Sequence, residues 1–440
     1  MSSAQFASAP EARVAPVSES EGETLLALDI GSAQVRCALV GTDGEAPRWL
    51  AGEEVPSFGL RDGAVVDLER AAESIRIAAE GARLEGRRPK RAVVGFSGGA
   101  RLSFARGSLV FPGGAREIRA GDLARLRRSL HSDAGPAYRT VLRMDGPYGA
   151  GELADVEWPV GLRASGLALT SAFLSAPAER LESALRAVRC AGLEIEHLAL
   201  APHAAALGVL GDDERRLGAA VLDFGAGGFR GALWDGGRLR QLGSAAPERG
   251  SANAGAGPNG MLALETELAR GFRLAPPAAR RLLQEHGLEA GRRDGSGGPP
   301  GEVEVTAVDG IQHVRVDLGK FSETAGKLLS GALRRLRDEL SFFSANHAGG
   351  VVLTGSGALL PGLPAMVSRH FGGAPVRVGA PRWAGRSSDA AFAGPGACTV
   401  CGLAVLGLAA RAQLRRGARG WPGALASIAR RLAACMCAAW

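Results

Sequence analysis

Leu25-Leu26-Ala27-Leu28-Asp29-Ile30-Gly31-Ser32, with a second apolar run from Val35 to Val40, is the stretch whose reading decides the fold. Leu25 to Ile30 is apolar except for Asp29, so it reads as a strand buried on both faces. Gly31-Ser32 turns the chain and Val35 to Val40 returns it, giving a tight hairpin. About 190 residues later the pattern recurs: a strand Ala219 to Phe224 carrying Asp223, the turn Gly225-Ala226-Gly227-Gly228, and a return strand Phe229 to Trp234. Two such hairpins imply an internally duplicated fold. Each turn offers backbone N–H groups to phosphate oxygens, with an aspartate beside it that can take a divalent cation through water. A third glycine loop, Gly355-Ser356-Gly357, follows the strand Val351 to Leu353 and precedes Leu360-Pro361-Gly362. One glycine turn beside an Asp is common; three such loops together point to a cleft for a nucleotide.

Around these loops, strands and helices alternate as in an α/β layered protein. Val65 to Leu68 reads as a short strand, Glu69 to Leu84 as a helix and Ala92 to Phe96 as a strand. From Arg101 to about Arg163 short segments punctuated by Gly and Pro surround one Arg-rich helix, Gly121 to Leu130, as in an inserted subdomain. Pro177 to Ala191 and Pro202 to Leu210 read as helices with a strand, Leu193 to Leu198, between them. Gly243 to Gly260 and Arg292 to Gly301 are linker-like; Met261 to Gly271, Pro277 to His286 and Phe321 to Phe342 are helical. Met1 to Glu23 is rich in Ser, Ala and Pro and reads as a disordered tail, lacking the apolar core of a signal peptide.

The chain has 440 residues and a net charge of +7, a balance that invites a nucleic-acid reading. The charge is local. From Ala390 to Trp440 there is no acid and there are six arginines, Arg411, Arg415, Arg416, Arg419, Arg430 and Arg431, so the rest of the chain is nearly neutral. With only two tyrosines to stack bases, nucleic-acid binding is disfavoured. Cys398 and Cys401 form a lone pair in an apolar stretch and read as core residues rather than metal ligands. Ala390 to Ala410 carries no charge, but Gly394-Pro395-Gly396 interrupts it. The remaining 14 residues or so cover ~21 Å against a ~30 Å hydrocarbon core, so a buried helix is the better reading.

Several of these motifs resemble those of the actin-like ATPases. Leu28-Asp29-Ile30-Gly31-Ser32 is similar to their first phosphate motif, Leu222 to Gly228 to the second, and Leu353 to Gly362 to the adenosine motif. Within that superfamily the chain looks like the FtsA family of bacterial cell-division proteins, on Ser57-Phe58-Gly59-Leu60-Arg61-Asp62-Gly63-Ala64-Val65-Val66-Asp67-Leu68, on Gly192 to Glu196 and on Glu265 to Gly271. The likeness covers about residues 24 to 440. It implies an actin-like, duplicated, ribonuclease-H-like two-domain α/β fold. Its first domain would comprise 24–100 and 171–214, with the FtsA-type subdomain inserted at 101–170. Its second would comprise 215–242 and 307–410, with an upper subdomain at 243–306, followed by a basic linker at 411–420 and an amphipathic helix at 421–440. It further implies ATP and Mg²⁺ as ligands, with Asp29, Gly31, Ser32, Asp223, Gly225, Gly227, Gly228, Gly355, Ser356 and Gly357 around them, and Asp29 and Asp223 on the metal.

The chain departs from that family where chemistry would be carried out. Ala201 stands where an acid that helps orient the attacking water is usual, and Gln34 where a phosphate-loop Lys is common. Gly228, Phe229 and Arg230 replace the Thr residues and acid that usually continue the second loop, and Arg280 and Leu283 replace the Glu and Lys that flank the adenosine. Phosphoryl transfer depends on positioning and electrostatics, so these changes favour binding over turnover.

At the C-terminus, Trp421, Leu425, Ile428, Leu432 and then Cys435 and Met436 recur every three or four residues and fall on one helix face. Arg430 lies opposite, Arg431 on the flank and Trp440 at the stripe's edge, the pattern of a helix lying in a membrane interface. The resemblance implies a non-enzymatic adaptor on the cytoplasmic face of the inner membrane. It would self-associate into filaments, bind the C-terminal peptide of the tubulin-like FtsZ, and recruit later division proteins through the insert. Arg270, Arg273, Arg280 and Arg281 are candidates to meet that acidic peptide. The alternatives are an actin-fold ATPase or sugar kinase, which would need an acid near Ala201, and an FtsA-like scaffold of pilus assembly, which ordinarily lacks the tail.

Overall fold

Two five-stranded sheets with the same strand order form the frame of the molecule. The structure, a computed structural model, describes residues 24–43, 46–84, 90–246, 258–288, 301–344, 346–383 and 389–417. The N-terminal tail, most of the first linker-like stretch and the whole amphipathic segment 421–440 therefore lie outside the described residues. In the first sheet Leu25–Ile30 pairs antiparallel with Gln34–Asp43, which pairs with Ala46–Pro56; on its other side it runs parallel to Arg91–Phe96 and then Glu194–Leu200. In the second, Ala219–Phe224 takes the same central place between Phe229–Asp235 with Arg238–Ser244 and Val351–Thr354 with Val376–Val378. The duplication expected from the hairpins is thus a duplication of whole sheets.

Burial on both faces explains the unbroken apolar runs. Leu26, Leu28 and Cys37 pack with helices Leu68–Gly81 and Ala178–Cys190 through Ile75, Ala78 and Val188. Leu222 and Phe224 pack against helices Met261–Phe272, Pro276–His286 and Leu318–Glu339. The opposite faces of the two sheets share one core, in which Leu25 and Val93 join Val221, Trp234 and Val352 around helices Ala201–Val209 and Cys398–Gly417. These helices cross at backbone contact: a Cβ on Gly208 would lie 2.0 Å from the Cys398 carbonyl oxygen, and one on Gly402 only 1.7 Å from that of Ala204. His203 extends the join, stacking on Trp234 with ring centroids 5.7 Å apart.

Several boundaries differ from the sequence reading. Val65 to Leu68 is not one strand: Ala64–Val65 pairs with Leu60–Arg61, and Asp67 caps the helix that begins at Leu68 by accepting from the Arg70 N–H at 3.1 Å. The insert is a four-stranded antiparallel sheet of long strands, Leu153–Val156, Tyr138–Ala150, Gly166–Pro177 and Arg101–Val110, so it extends to 177 rather than 170. Its alternation was blurred because apolar Phe104 and Val110 are exposed while Gly107 and Arg143 lie on the covered side, where Leu167, Leu169 and Phe173 pack on Leu123 and Leu126 of helix Ala120–Ser129. In the second domain a hairpin, Glu302–Thr306 with His313–Asp317, crosses the boundary expected at 306.

The apolar C-terminal stretch forms a helix, Cys398–Gly417, longer than the 14 or so residues expected. By length and composition Pro395–Ala412 can cross a membrane, yet 67% of it is buried inside the protein, and Cys398 and Cys401 are core residues, as expected. The expected linker at 411 is also corrected: Arg411 lies in this helix and grips Glu196 with both arms, at 2.5 and 2.6 Å, while donating to the Thr24 carbonyl at 2.8 Å.

Two measurements probe this frame. Gly402→Val forces a side chain into the Ala204 backbone, and the urea midpoint is expected to fall by the equivalent of about 3 kcal/mol. His203 is fully buried, and burial, with the charge of Arg215 adding, pushes its imidazole down to about 4. The unfolded chain then binds a proton near pH 6.5 that the folded chain refuses, so stability falls as pH drops from about 6.5 toward 4. His203→Leu is expected to gain about 2 kcal/mol on the wild type between pH 7 and pH 5, read by urea unfolding at both values.

Candidate functional site

The three glycine loops converge at the C-terminal ends of the central parallel strands, where an α/β sheet presents its ligand sites. Asp29 and Asp223 end the two central strands. The Thr354 hydroxyl donates to Asp223 Oδ1 at 3.4 Å, and Gly355 passes so close that a Cβ there would lie 2.6 Å from the same oxygen. Gly355 also has a φ of +80°, so glycine is required on both counts. Ser356 and Gly357 follow in a 3₁₀ turn that leads, through Gly362, into helix Leu363–His370. The fold therefore brings Asp29, Gly31, Ser32, Asp223, Gly225, Gly227, Gly228, Gly355, Ser356 and Gly357 to one place.

These loops are closed on one another. A Cβ on Gly227 would lie 2.2 Å from Ser32 Oγ and 3.3 Å from the Asp62 Cα, so the two glycine turns touch. Ser32 Oγ in turn accepts from the Gly63 N–H at 3.0 Å, which brings the Asp62-Gly63 turn against both. The second turn is walled by the start of helix Met261–Phe272: the Met261 N–H donates to the Gly225 carbonyl at 3.1 Å and the Leu262 N–H to that of Ala226 at 3.0 Å. Those N–H groups are spent on protein oxygens, and the Met261 sulfur lies 2.7 Å from the Cβ position of Gly357. A cavity of about 740 Å³ opens elsewhere, between the inserted sheet and strands Phe229–Ser244, with Arg106, Asp145, Trp234 and Arg240 on its walls.

Charge in the cleft follows the same closeness. Burial pushes Asp29 up to about 6, with Arg36 opposing and Asp223 adding to the rise. Asp223 is likewise raised by burial, against the pull of Arg230. Gln34 is turned away from the phosphate turn, donating to Glu54 Oε1 and accepting from Arg36 Nη2, each at 2.5 Å. Ala201 begins its helix, buried, and brings no carboxylate. Leu283 is in the core with 1% exposure, and Arg280 is paired with Glu265 at 2.8 Å, so neither is arranged to flank an adenosine. Asp29 and Asp223 are the carboxylates that would hold a hydrated cation; an arginine stands across the ladder from each, and Ser32 and Gly227 meet between the two turns.

Of the arginines expected to meet an acidic peptide, Arg270 and Arg273 close helix Met261–Phe272, and Arg280 and Arg281 lie on the next helix. Three have partners of their own: Arg270 with Glu267 at 3.1 Å, Arg280 with Glu265, and Arg281 with Glu285 at 4.0 Å. The membrane candidates Trp421, Leu425, Ile428, Arg430, Arg431, Leu432, Met436 and Trp440 lie outside the described residues. Sequence reasoning missed Arg36, Asp62 and Met261, although one signal was there to read: each hairpin carries an arginine seven residues after its aspartate.

Two facing β-sheet halves with glycine loops between them define the actin-like ATPase fold. Among solved structures, MreB5 of Spiroplasma citri bound to ADP superposes with a TM-score of 0.53 at 12% identity, over 90% of this chain and all of that one (100%). The PilM-PilN type IV pilus biogenesis complex gives 0.51 at 17% identity, over 87% and 98%. By sequence the chain is similar to the cell division proteins FtsA. That of Rhizobium meliloti (strain 1021) is 26% identical over 418 residues, 89% of each chain, and that of Escherichia coli (strain K12) 25% over 378, which is 83% of this chain and 86% of the relative. The match to Bacillus subtilis (strain 168) FtsA is 27% over 223 residues and spans about half of each chain, 49% and 50%. No family model matches.

Separating the two turns tests the closed arrangement. Gly227→Val pushes a branched side chain into Ser32 and is expected to cost about 2 kcal/mol by urea unfolding, whereas Ser32→Gly in the same chain relieves part of that loss.

Proposed function

We propose that this chain is an actin-like cell-division protein that ties the FtsZ ring to the cytoplasmic face of the inner membrane and recruits later division proteins. It works as a self-associating scaffold rather than as an enzyme. The observation that carries this reading is similarity to FtsA proteins over most of the chain, combined with an acid-free, amphipathic C-terminus. ATP with Mg²⁺ on Asp29 and Asp223 is what the relationship implies for the cleft. The missing carboxylate at Ala201 and the touching turns argue for little or no hydrolysis. A kinase or active ATPase would need the general base that Ala201 does not supply.

Membrane attachment rests on residues 421–440. Three or four large side chains buried in the interface contribute ~1.5–3 kcal/mol each, partly offset by ordering the helix. Arginines near anionic lipid add about 1 kcal/mol each. Arg411 does not take part, because Glu196 neutralises it within the body. One tail binds weakly and reversibly, and an array of tails on a filament binds by avidity. Docking of the FtsZ tail at Arg270 and Arg273 is supported by their place at one helix end, with Arg270 largely exposed.

Co-sedimentation with anionic vesicles tests the tether: Ile428→Asp with Leu432→Asp is expected to reduce bound protein at least about tenfold, and unchanged sedimentation overturns it. For the partner, Arg270→Glu with Arg273→Glu is expected to weaken binding of the acidic FtsZ tail peptide about tenfold at low salt. Equal affinity at matched ionic strength removes that surface from consideration.

A further inference from the structure

Both ends of the described chain meet at one contact. Arg411, in the last turns of helix Cys398–Gly417, donates from Nη1 to the Thr24 carbonyl at 2.8 Å while Glu196 accepts from its Nε and Nη2. Thr24 precedes strand Leu25–Ile30, so the roots of residues 1–23 and of residues 412–440 are fixed side by side. Arg415 follows Arg411 by four residues, one helical turn, which puts it on the same face of the helix and about 6 Å beyond the contact. In the first sheet Leu26 is in register with Ala92, so Lys90 and Arg91, both exposed, lie at the edge where Thr24 stands. The two terminal segments carry opposite charge. Residues 1–23 hold Glu11, Glu19, Glu21 and Glu23 against Arg13, whereas residues 412–440 hold Arg415, Arg416, Arg419, Arg430 and Arg431 and no acid. The acids crowd toward the root: Glu23 adjoins Thr24, and Glu19, Glu21 and Glu23 take alternate positions, which an extended chain presents on one side.

We propose that the acidic residues 11–23 are the internal partner of the basic C-terminal segment, pairing with Arg415, Arg416 and Arg419 and competing there with anionic lipid. Exposed ion pairs are individually weak, but two segments rooted at one hydrogen bond meet at an effective concentration on the order of millimolar. The same weakness makes the pairing reversible. A dense anionic surface engages all the arginines at once and repels the glutamates, so lipid displaces the N-terminal segment. Salt screens the pairing over about 8–10 Å and weakens it. The competition with lipid rests on the membrane reading of residues 421–440 given above; the pairing of the two ends does not.

Three full-length proteins test it: the wild type, the triple variant Glu19→Gln, Glu21→Gln, Glu23→Gln, and a control that loses the same charge elsewhere, Glu152→Gln, Glu302→Gln, Glu304→Gln, at exposed positions. In co-sedimentation with phosphatidylglycerol vesicles at low salt, the triple variant is expected to bind about five times more tightly than the wild type, and the control less than about twice as tightly. The gain should vanish at high salt. Equal binding of the triple variant and the wild type overturns the proposal, as does an equal gain in the control or a gain that survives high salt. A second readout needs no lipid. Trypsin cleavage after Arg416 and Arg419, followed by mass spectrometry at low salt, is expected to run about three times faster in the triple variant than in the wild type or the control. If none of the three proteins binds vesicles, the membrane reading has failed and cleavage decides the pairing: a faster rate in the triple variant alone upholds it, and equal rates overturn it.

Discussion

Everything in this molecule depends on two helices that touch at the backbone. Ala201–Val209 and Cys398–Gly417 cross where Gly208 and Gly402 leave no room for a side chain, and the faces of both sheets pack around that crossing. Fixing the crossing fixes the sheets, and fixing the sheets places the ends of Leu25–Ile30 and Ala219–Phe224 opposite each other. The glycine turns then meet because the strands that carry them have no freedom to part without opening a shared core.

That closeness changes what the conserved-looking chemistry can do. Two aspartates held together in a partly desolvated place need compensating charge, since each raises the other's cost of ionisation. In a magnesium nucleotide site the compensation arrives with the ligand. In this chain an arginine stands across the ladder from each aspartate, Arg36 from Asp29 and Arg230 from Asp223, and the turns close on protein groups. Ala201, buried at its helix start, brings no carboxylate to this cleft.

The fold was legible because it is repeated. Apolar runs interrupted by one aspartate, then glycine, appear twice, and sheets buried on both faces leave that signature in any sequence. The insert was legible only as an interruption; its strands expose apolar Phe104 and Val110 and cover Gly107 and Arg143, so alternation over Arg101–Val110 and Tyr138–Ala150 is blurred. The glycine loops of the cleft were legible, and their mutual contact was not. Distance between Ser32 and Gly227 is set by helices far along the chain, and no local pattern encodes it. That Leu283 faces the core was hidden for a related reason: register within a helix pair decides whether a residue faces a cleft or a core.

The last described helix also determines how the molecule takes mechanical force. Cys398–Gly417 runs through the shared core, so a pull on the chain beyond it would reach the body through this helix. Arg411, locked to Glu196 and to the Thr24 carbonyl, lies between the pull and the core. Both halves would feel such a pull together, because the faces of both sheets pack around this helix.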